Sequence, residues 1–164
     1  MRRWLPLIAS ALLLAACAHP WNTANIPAGS TREQVIASAG PPVAVLPLPD
    51  GGQRLQYTLQ PMGQYAFMVD LDASGRVVRS RQVLTESEFA RIEPGRWTVA
   101  DVQREFGPPA RIDGVASFRG SILTYRWRDL GGADMFYWVY VDPQGVVQRA
   151  HPGMEFRNDR DARD

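Results

Sequence analysis

The apolar residues of this chain form one nearly unbroken run and then two matched series. The run, Trp4 through Leu14, has no polar interruption except Ser10. Further on, Val35 and Ala39, and again Val102 and Phe106, recur at helical spacing. Thr31 and Thr98 stand ahead of these stripes as N-caps, with Gln34 and Asp101 in the reciprocal position of a capping box. Gly40 and Gly107, each followed by two prolines, end them. The pattern predicts two helices of about two turns each, and Trp97 with Val102 forms a hydrophobic staple over the second. Alternating segments follow. Leu55, Tyr57 and Leu59, then Phe67, Val69 and Leu71, predict strands joined through the turn Asp72-Ala73-Ser74-Gly75 to a strand starting at Val77. Leu123, Tyr125 and Trp127, then Tyr137, Val139 and Val141, repeat the series, with the turn Asp142-Pro143-Gln144-Gly145 before Val146-Val147. Gly51-Gly52 after Asp50 reads as a hairpin turn. Thr85-Glu86-Ser87-Glu88 is a further capping box stapled by Leu84 and Phe89, predicting a short helix over 86–91.

The two series keep the same order with slight drift in spacing, the signature of an internal repeat. The expected fold class is α+β: two tandem repeats, each with short helices packed on one face of a small antiparallel sheet. The repeats span 27–84 and 85–156. Residues 17–26 read as a tether without periodicity, and the charge-rich 157–164 as a disordered tail.

The apolar run changes the picture of where the protein works. It follows Arg2-Arg3, is too short to span a bilayer, and ends in small residues, so residues 1–16 read as an export signal. Leu14-Ala15-Ala16-Cys17 resembles the lipobox of bacterial lipoproteins, in which cleavage precedes an acylated cysteine. Cys17 is the chain's single cysteine. That resemblance implies a membrane partner through N-terminal acyl chains, two or three of which give durable anchoring. Ala18 after the cysteine, where aspartate would signal inner-membrane retention, points to the periplasmic face of the outer membrane.

Charge and chemistry then exclude several classes. Two of the 18 basic residues lie in the leader, so the remainder, set against 17 acidic residues, is one unit negative. That balance argues against nucleic acid. Every basic residue is arginine, which rules out a Schiff-base or P-loop lysine. The two histidines, His19 and His151, lie far apart in the chain, and neither neighbours a nucleophile in a recognisable motif. No zinc motif is present, and Asp72 and Asp142 have turn spacing. Neither catalytic residues, cofactor, metal nor small-molecule substrate is expected, and the chain reads as a non-enzyme.

Gly29, Thr31, Val35, Gly40 and Pro42 together resemble the opening of the BamE-like (SmpA/OmlA) outer-membrane lipoprotein domain. The second unit keeps Thr98, Val102, Gly107 and Pro109 but has Arg96 in place of the first glycine. The resemblance implies an accessory or scaffold role in outer-membrane protein assembly and envelope integrity, with the β-barrel assembly machinery as partner. The tandem layout is also similar to β-lactamase inhibitor protein, which implies the alternative of a periplasmic inhibitor that covers an enzyme with its second sheet. Both readings need a binding surface. On the strand through 135–142 both faces are apolar, and Phe136, Trp138 and Tyr140 share the face opposite the core with Arg126 and Arg128. Aromatics with arginine compose protein-binding hot spots. The competing expectation is that this face packs against the first unit or the inter-unit helix.

Overall fold

The computed structural model describes residues 18–156. Residues 1–16, read above as an export signal, Cys17 and the charged tail lie outside the described residues. The fold is α+β, with two four-stranded antiparallel sheets and a few short helices. The first unit holds α1 (Arg32–Ala39) and a meander of β1 (Ala44–Pro47), β2 (Gln53–Thr58), β3 (Ala66–Leu71) and β4 (Val77–Gln82). The second holds α2 (Glu86–Phe89), α3 (Val99–Phe106) and a meander of β5 (Arg111–Val115), β6 (Phe118–Arg128), β7 (Asp134–Val141) and β8 (Val147–Met154).

The helices start where their caps require. Thr31 Oγ1 accepts from the Gln34 N–H (3.3 Å), and Gln34 Oε1 accepts from the Thr31 N–H (2.8 Å). Thr98 and Asp101 repeat both bonds at 3.3 and 2.9 Å. Gly40 and Gly107 close the helices at φ of 82° and 79°. Around α2, Thr85 caps the Glu88 N–H, but the Glu88 carboxylate pairs with Arg81 and Arg91. The helix also ends at Phe89, short of the expected residue 91.

The duplication extends to single bonds. The Tyr57 hydroxyl donates to the Gly40 carbonyl at 3.0 Å, and the Tyr125 hydroxyl donates to Gly107 at 2.9 Å. The Gly29 and Gly95 amides donate to Val77 and Val147 at 2.7 Å each. Both sheets are bulged at the end of their third strand, at Asp70/Leu71 and Tyr140/Val141. Facing those bulges stand Gly52 and Gly120, where a Cβ would sit 2.1 and 2.0 Å from the Leu71 and Val141 carbonyl oxygens. In both Asp-x-x-Gly turns the first aspartate accepts amides two and four residues on.

The stretch expected to be a tether is docked from His19 onward. Pro20–Asn25 forms a 3₁₀ helix started by proline, and the His19 ring accepts from the Trp21 N–H. The Asn22 amide and the His19 N–H both donate to the Ser38 carbonyl, filling an acceptor left open at the end of α1. Ser80 donates to the Thr23 carbonyl (2.6 Å), and Trp21 packs on Tyr65 and Phe67. A 3₁₀ turn of this length has no apolar period to announce it in sequence.

The layers stack as a series. α1 covers one face of the first sheet, burying Val35 and Ala39 against Leu55, Tyr57, Phe67, Val69 and Leu71. The opposite face of that sheet is also covered. Ala66 and Met68 join a larger core with Phe89, Val102, Phe106, Leu123, Tyr125 and Val139. Thus α2 and α3 of the second unit lie between the two sheets. Arg54 and Gln56, which alternation alone would leave in solvent, are buried there. Gln56 Nε2 donates to the Gln103 and Arg104 carbonyls (2.9 and 3.0 Å) at the open end of α3. Arg54 bridges Asp70 (2.6 Å) and Glu105 (2.9 Å), and Arg81 bridges Glu105 (2.9 Å) and Glu88.

This network sets a pH limit. Burial works to raise the Glu105 carboxyl, but Arg54 and Arg81 outweigh it and hold its pKa below the ordinary value. Burial likewise opposes, and Arg81 and Arg91 dominate, at Glu88. Carboxyls depressed by folding contribute stability that is full above the ordinary glutamate pKa of about 4.3 and is lost as pH falls through the lower folded value. The midpoint of thermal unfolding is therefore expected to hold from neutrality to about pH 5 and to fall below about pH 4. Glu105→Gln should flatten that acid limb. A limb unchanged by this substitution would place the linkage elsewhere.

Candidate protein-binding face

By the logic of the repeat, sheet 2 should offer α3-like cover for its outer face, since the same face of sheet 1 is filled. None is present among the described residues, and Phe136, Trp138 and Tyr140 are each partly exposed. For the three aromatics this corrects the expectation that the face packs against the first unit or the inter-unit helix; Arg126, on the same face, does meet the first unit, at the Met62 carbonyl. The covered face belongs to sheet 1.

Register places the residues. Across β6 and β7, Thr124 faces Trp138, Arg126 faces Phe136, Ile122 faces Tyr140 and Arg128 faces Asp134. On β8, His151 faces Trp138 and Arg149 faces Tyr140. These positions lie on one face because side chains alternate along a strand. The rings form a continuous strip. Phe136 and Trp138 are 5.8 Å apart between centroids, and Trp138 and His151 are 5.4 Å apart. His151 stacks on Tyr140 at 5.5 Å, and Phe118 meets Tyr140 edge-on at 5.3 Å. The indole of Trp138 lies over Gly153, where a Cβ would come within 2.2 Å of it. Beneath the rings, Thr124 is fully buried and its Oγ1 has no hydrogen-bond partner.

The arginines expected at this face are present but occupied. Arg126 pairs with Glu155 (2.6 Å) and donates to the Met62 carbonyl (2.6 Å), which ties the second sheet to the 59–65 loop of the first unit. Arg128 pairs with Asp134 (2.9 Å). Two arginines that the sequence reading passed over serve the face more directly. The Arg149 guanidinium lies 3.8 Å from the Tyr140 ring centroid, and Arg111 lies 5.3 Å from that of Phe136. Arg111 also pairs with Asp113 (2.7 Å). The signal for Arg149 was in the sequence, two residues past Val147 on the last strand. Arg111 lies on an edge strand with no apolar alternation to reveal it.

The sheet 1 counterparts measure how far the two faces have diverged. Where sheet 1 has Arg54, Gln56, Ala66, Met68, Asp70 and Arg81, sheet 2 has Ile122, Thr124, Phe136, Trp138, Tyr140 and His151. In the first set Arg54, Gln56, Asp70 and Arg81 cap and charge a helix end, and Ala66 and Met68 pack beside it. The second is ring surface with cations stacked upon it, suited to binding by burial, stacking and charge.

These features define a duplicated α+β protein, two tandem helix-plus-meander units with one sheet face covered internally and its twin open. No family model matches the chain, and no curated protein matches it. Among solved structures it is similar to a DUF4309 family protein (YjgB) from Bacillus subtilis, 17% identical over 77% of this chain and 79% of that one, with a TM-score of 0.32.

Proposed function

We propose that the protein is a lipid-anchored outer-membrane lipoprotein acting as a non-enzymatic binding or scaffold module, in an accessory role in outer-membrane protein assembly and envelope integrity. The anchor rests on the leader and Cys17, and the assembly role on the resemblance of both units to the BamE-like domain. The observation that carries the binding reading is the open aromatic strip of sheet 2. Its twin on sheet 1 is a buried interface, and rings with stacked arginines are the composition from which interface hot spots are built. No helix among the described residues is long and apolar enough to cross a membrane, so attachment in this reading is through acyl chains.

The test is affinity capture of the full-length protein after mild detergent extraction, beside a Phe136→Ala/Trp138→Ala variant. β-Barrel assembly components should be retained by the native chain and lost by the variant, and deletion of the gene should sensitise cells to large antibiotics. Capture of a single soluble periplasmic enzyme would overturn the assembly role in favour of inhibition. Turnover of a small substrate by the purified protein would overturn both.

A further inference from the structure

A second exposed apolar surface lies at one end of the molecule, apart from the aromatic strip. Leu130, Met62 and Phe156 are the three most exposed large apolar side chains among the described residues, at 105, 82 and 79%. All three lie at the end where β2, β4, β6 and β8 finish and β3 and β7 begin. Trp21 and Met154, also exposed, share that end. Hydrogen bonds hold it together. Arg126 joins the Met62 carbonyl to Glu155, whose N–H donates to the Asp134 carbonyl at 3.0 Å. Gln64 donates to Asp134 Oδ1 at 2.9 Å, and the Asp129 N–H closes the turn bearing Leu130 by donating to Ala133. Trp21 is fixed beside them by its 4.2 Å ring contact with Tyr65.

The described chain begins at this same end. A Cβ at Gly40 would lie 3.9 Å from that of Ala18, and the Gly40 carbonyl is held by Tyr57 near the end of β2. The His19 N–H is bonded to Ser38. With residues 19–25 docked, two peptide steps separate Cys17 from His19, the first hydrogen-bonded residue, and two residues span at most about 7 Å. An acylated Cys17 therefore has little slack with which to hold the body away from the bilayer. The exposed apolar side chains occupy the end that this geometry brings to the membrane. Amphipathic surfaces bind there by burying apolar groups at the headgroup–acyl boundary.

We propose that the end bearing Trp21, Met62, Leu130, Met154 and Phe156 sits in the headgroup–acyl boundary of the bilayer that holds the Cys17 anchor. The inference rests on the acylation proposed above. It gives that anchor a direction: the strands rise from the membrane, and the aromatic strip of sheet 2 is presented sideways at a fixed height.

The single cysteine makes this testable on the full chain. An acylated Cys17 sulfur does not react with maleimide, so Met62→Cys, Leu130→Cys and Phe156→Cys each provide one labelling site for an environment-sensitive dye. Val78→Cys and Val115→Cys, exposed at the opposite end, serve as controls. In phosphatidylcholine vesicles the three end positions should show a blue shift and a several-fold rise in emission, with quenching by brominated lipid, while both controls stay water-like. If the native chain is maleimide-silent and the three dyes match the controls, the contact is overturned and the anchor stands. If the native chain reacts, the anchor fails. The three variants in a Cys17→Ser background then decide the contact, a shift with vesicles supporting it and no shift overturning it. A shift that arises without vesicles and scales with protein concentration would show a second copy covering this end, and overturns the proposal.

Discussion

Replacing Arg54 with alanine is expected to destabilise the protein by about 3–5 kcal/mol, because it leaves buried carboxylates without their counter-charge. Arg54 is 5% exposed, and its guanidinium grips Asp70 through two bonds of 2.6 and 3.0 Å. The same group reaches Glu105 at 2.9 Å and the Arg104 carbonyl at 3.2 Å. Its loss would leave two acidic side chains facing one buried space and an acceptor at the end of α3 less well satisfied. For a domain of this size the corresponding fall in thermal midpoint is about 10–15 °C. Arg54→Lys should fall between, since a point charge cannot reproduce the planar fork that meets Asp70 on two sides. Arg96→Ala, which removes only an exposed pair with Glu93, should change stability by less than about 1 kcal/mol. Circular dichroism melts of the three variants at pH 7 check the order. An Arg54→Ala midpoint within 2–3 °C of the native one would mean that water reaches this network, and the buried junction between the units would have to be redrawn.

That junction shows where the sequence was legible and where it stopped being so. Both long helices were bounded to the residue from Thr31, Gly40, Thr98 and Gly107, because caps are chemistry between neighbours a few residues apart. Alternation found β2, β3, β6 and β7, the inner strands, whose two faces meet different surroundings. It missed β1 and β5. These edge strands pair on one side only and are partly or wholly exposed, so burial imposes no period on them. The polar residues Arg54, Gln56 and Asp70 look solvent-facing in the alternation of the first sheet. Their burial is caused by α3, some thirty to fifty residues on, and no local pattern encodes it. The aromatic strip was legible for a related reason: Phe136, Trp138 and Tyr140 break the alternation of β7, and a strand apolar on both faces asks for a second partner. Arg126 and Arg128 were placed on the right face by register. Their commitment to Glu155 and Asp134 depends on how chain ends and turns converge, which spacing does not record.

Repeat proteins cover each unit with the next, and the last unit needs either a polar outer face or a partner. Here the last sheet has the less polar outer face of the two, and Trp138 lies at its centre. Truncation of Trp138 to alanine is expected to weaken capture of the proposed protein partner by about 30- to 1000-fold, the 2–4 kcal/mol range of an aromatic hot spot. The indole is flanked by Phe136 and His151 and lies over Gly153, so its loss opens a hole in the middle of the strip and uncovers Thr124. Because the ring is partly exposed already, the thermal midpoint should fall much less than for Arg54→Ala. Gly153→Val separates position from presence. It installs at the Gly153 position the residue type that sheet 1 carries in the corresponding place, Val83, and a Cβ there collides with the indole at 2.2 Å. The ring must then leave its place while remaining in the chain. Capture should drop at least about 10-fold, as for the loss of a single well-packed contact of about 1.4 kcal/mol. Binding titrations of both variants against the captured partner, with melts alongside, provide the measurement. If Trp138→Ala binds within two-fold of the native chain, the strip is not the interface, and the partner must be sought on the outer face of α1 or along the exposed edge strands.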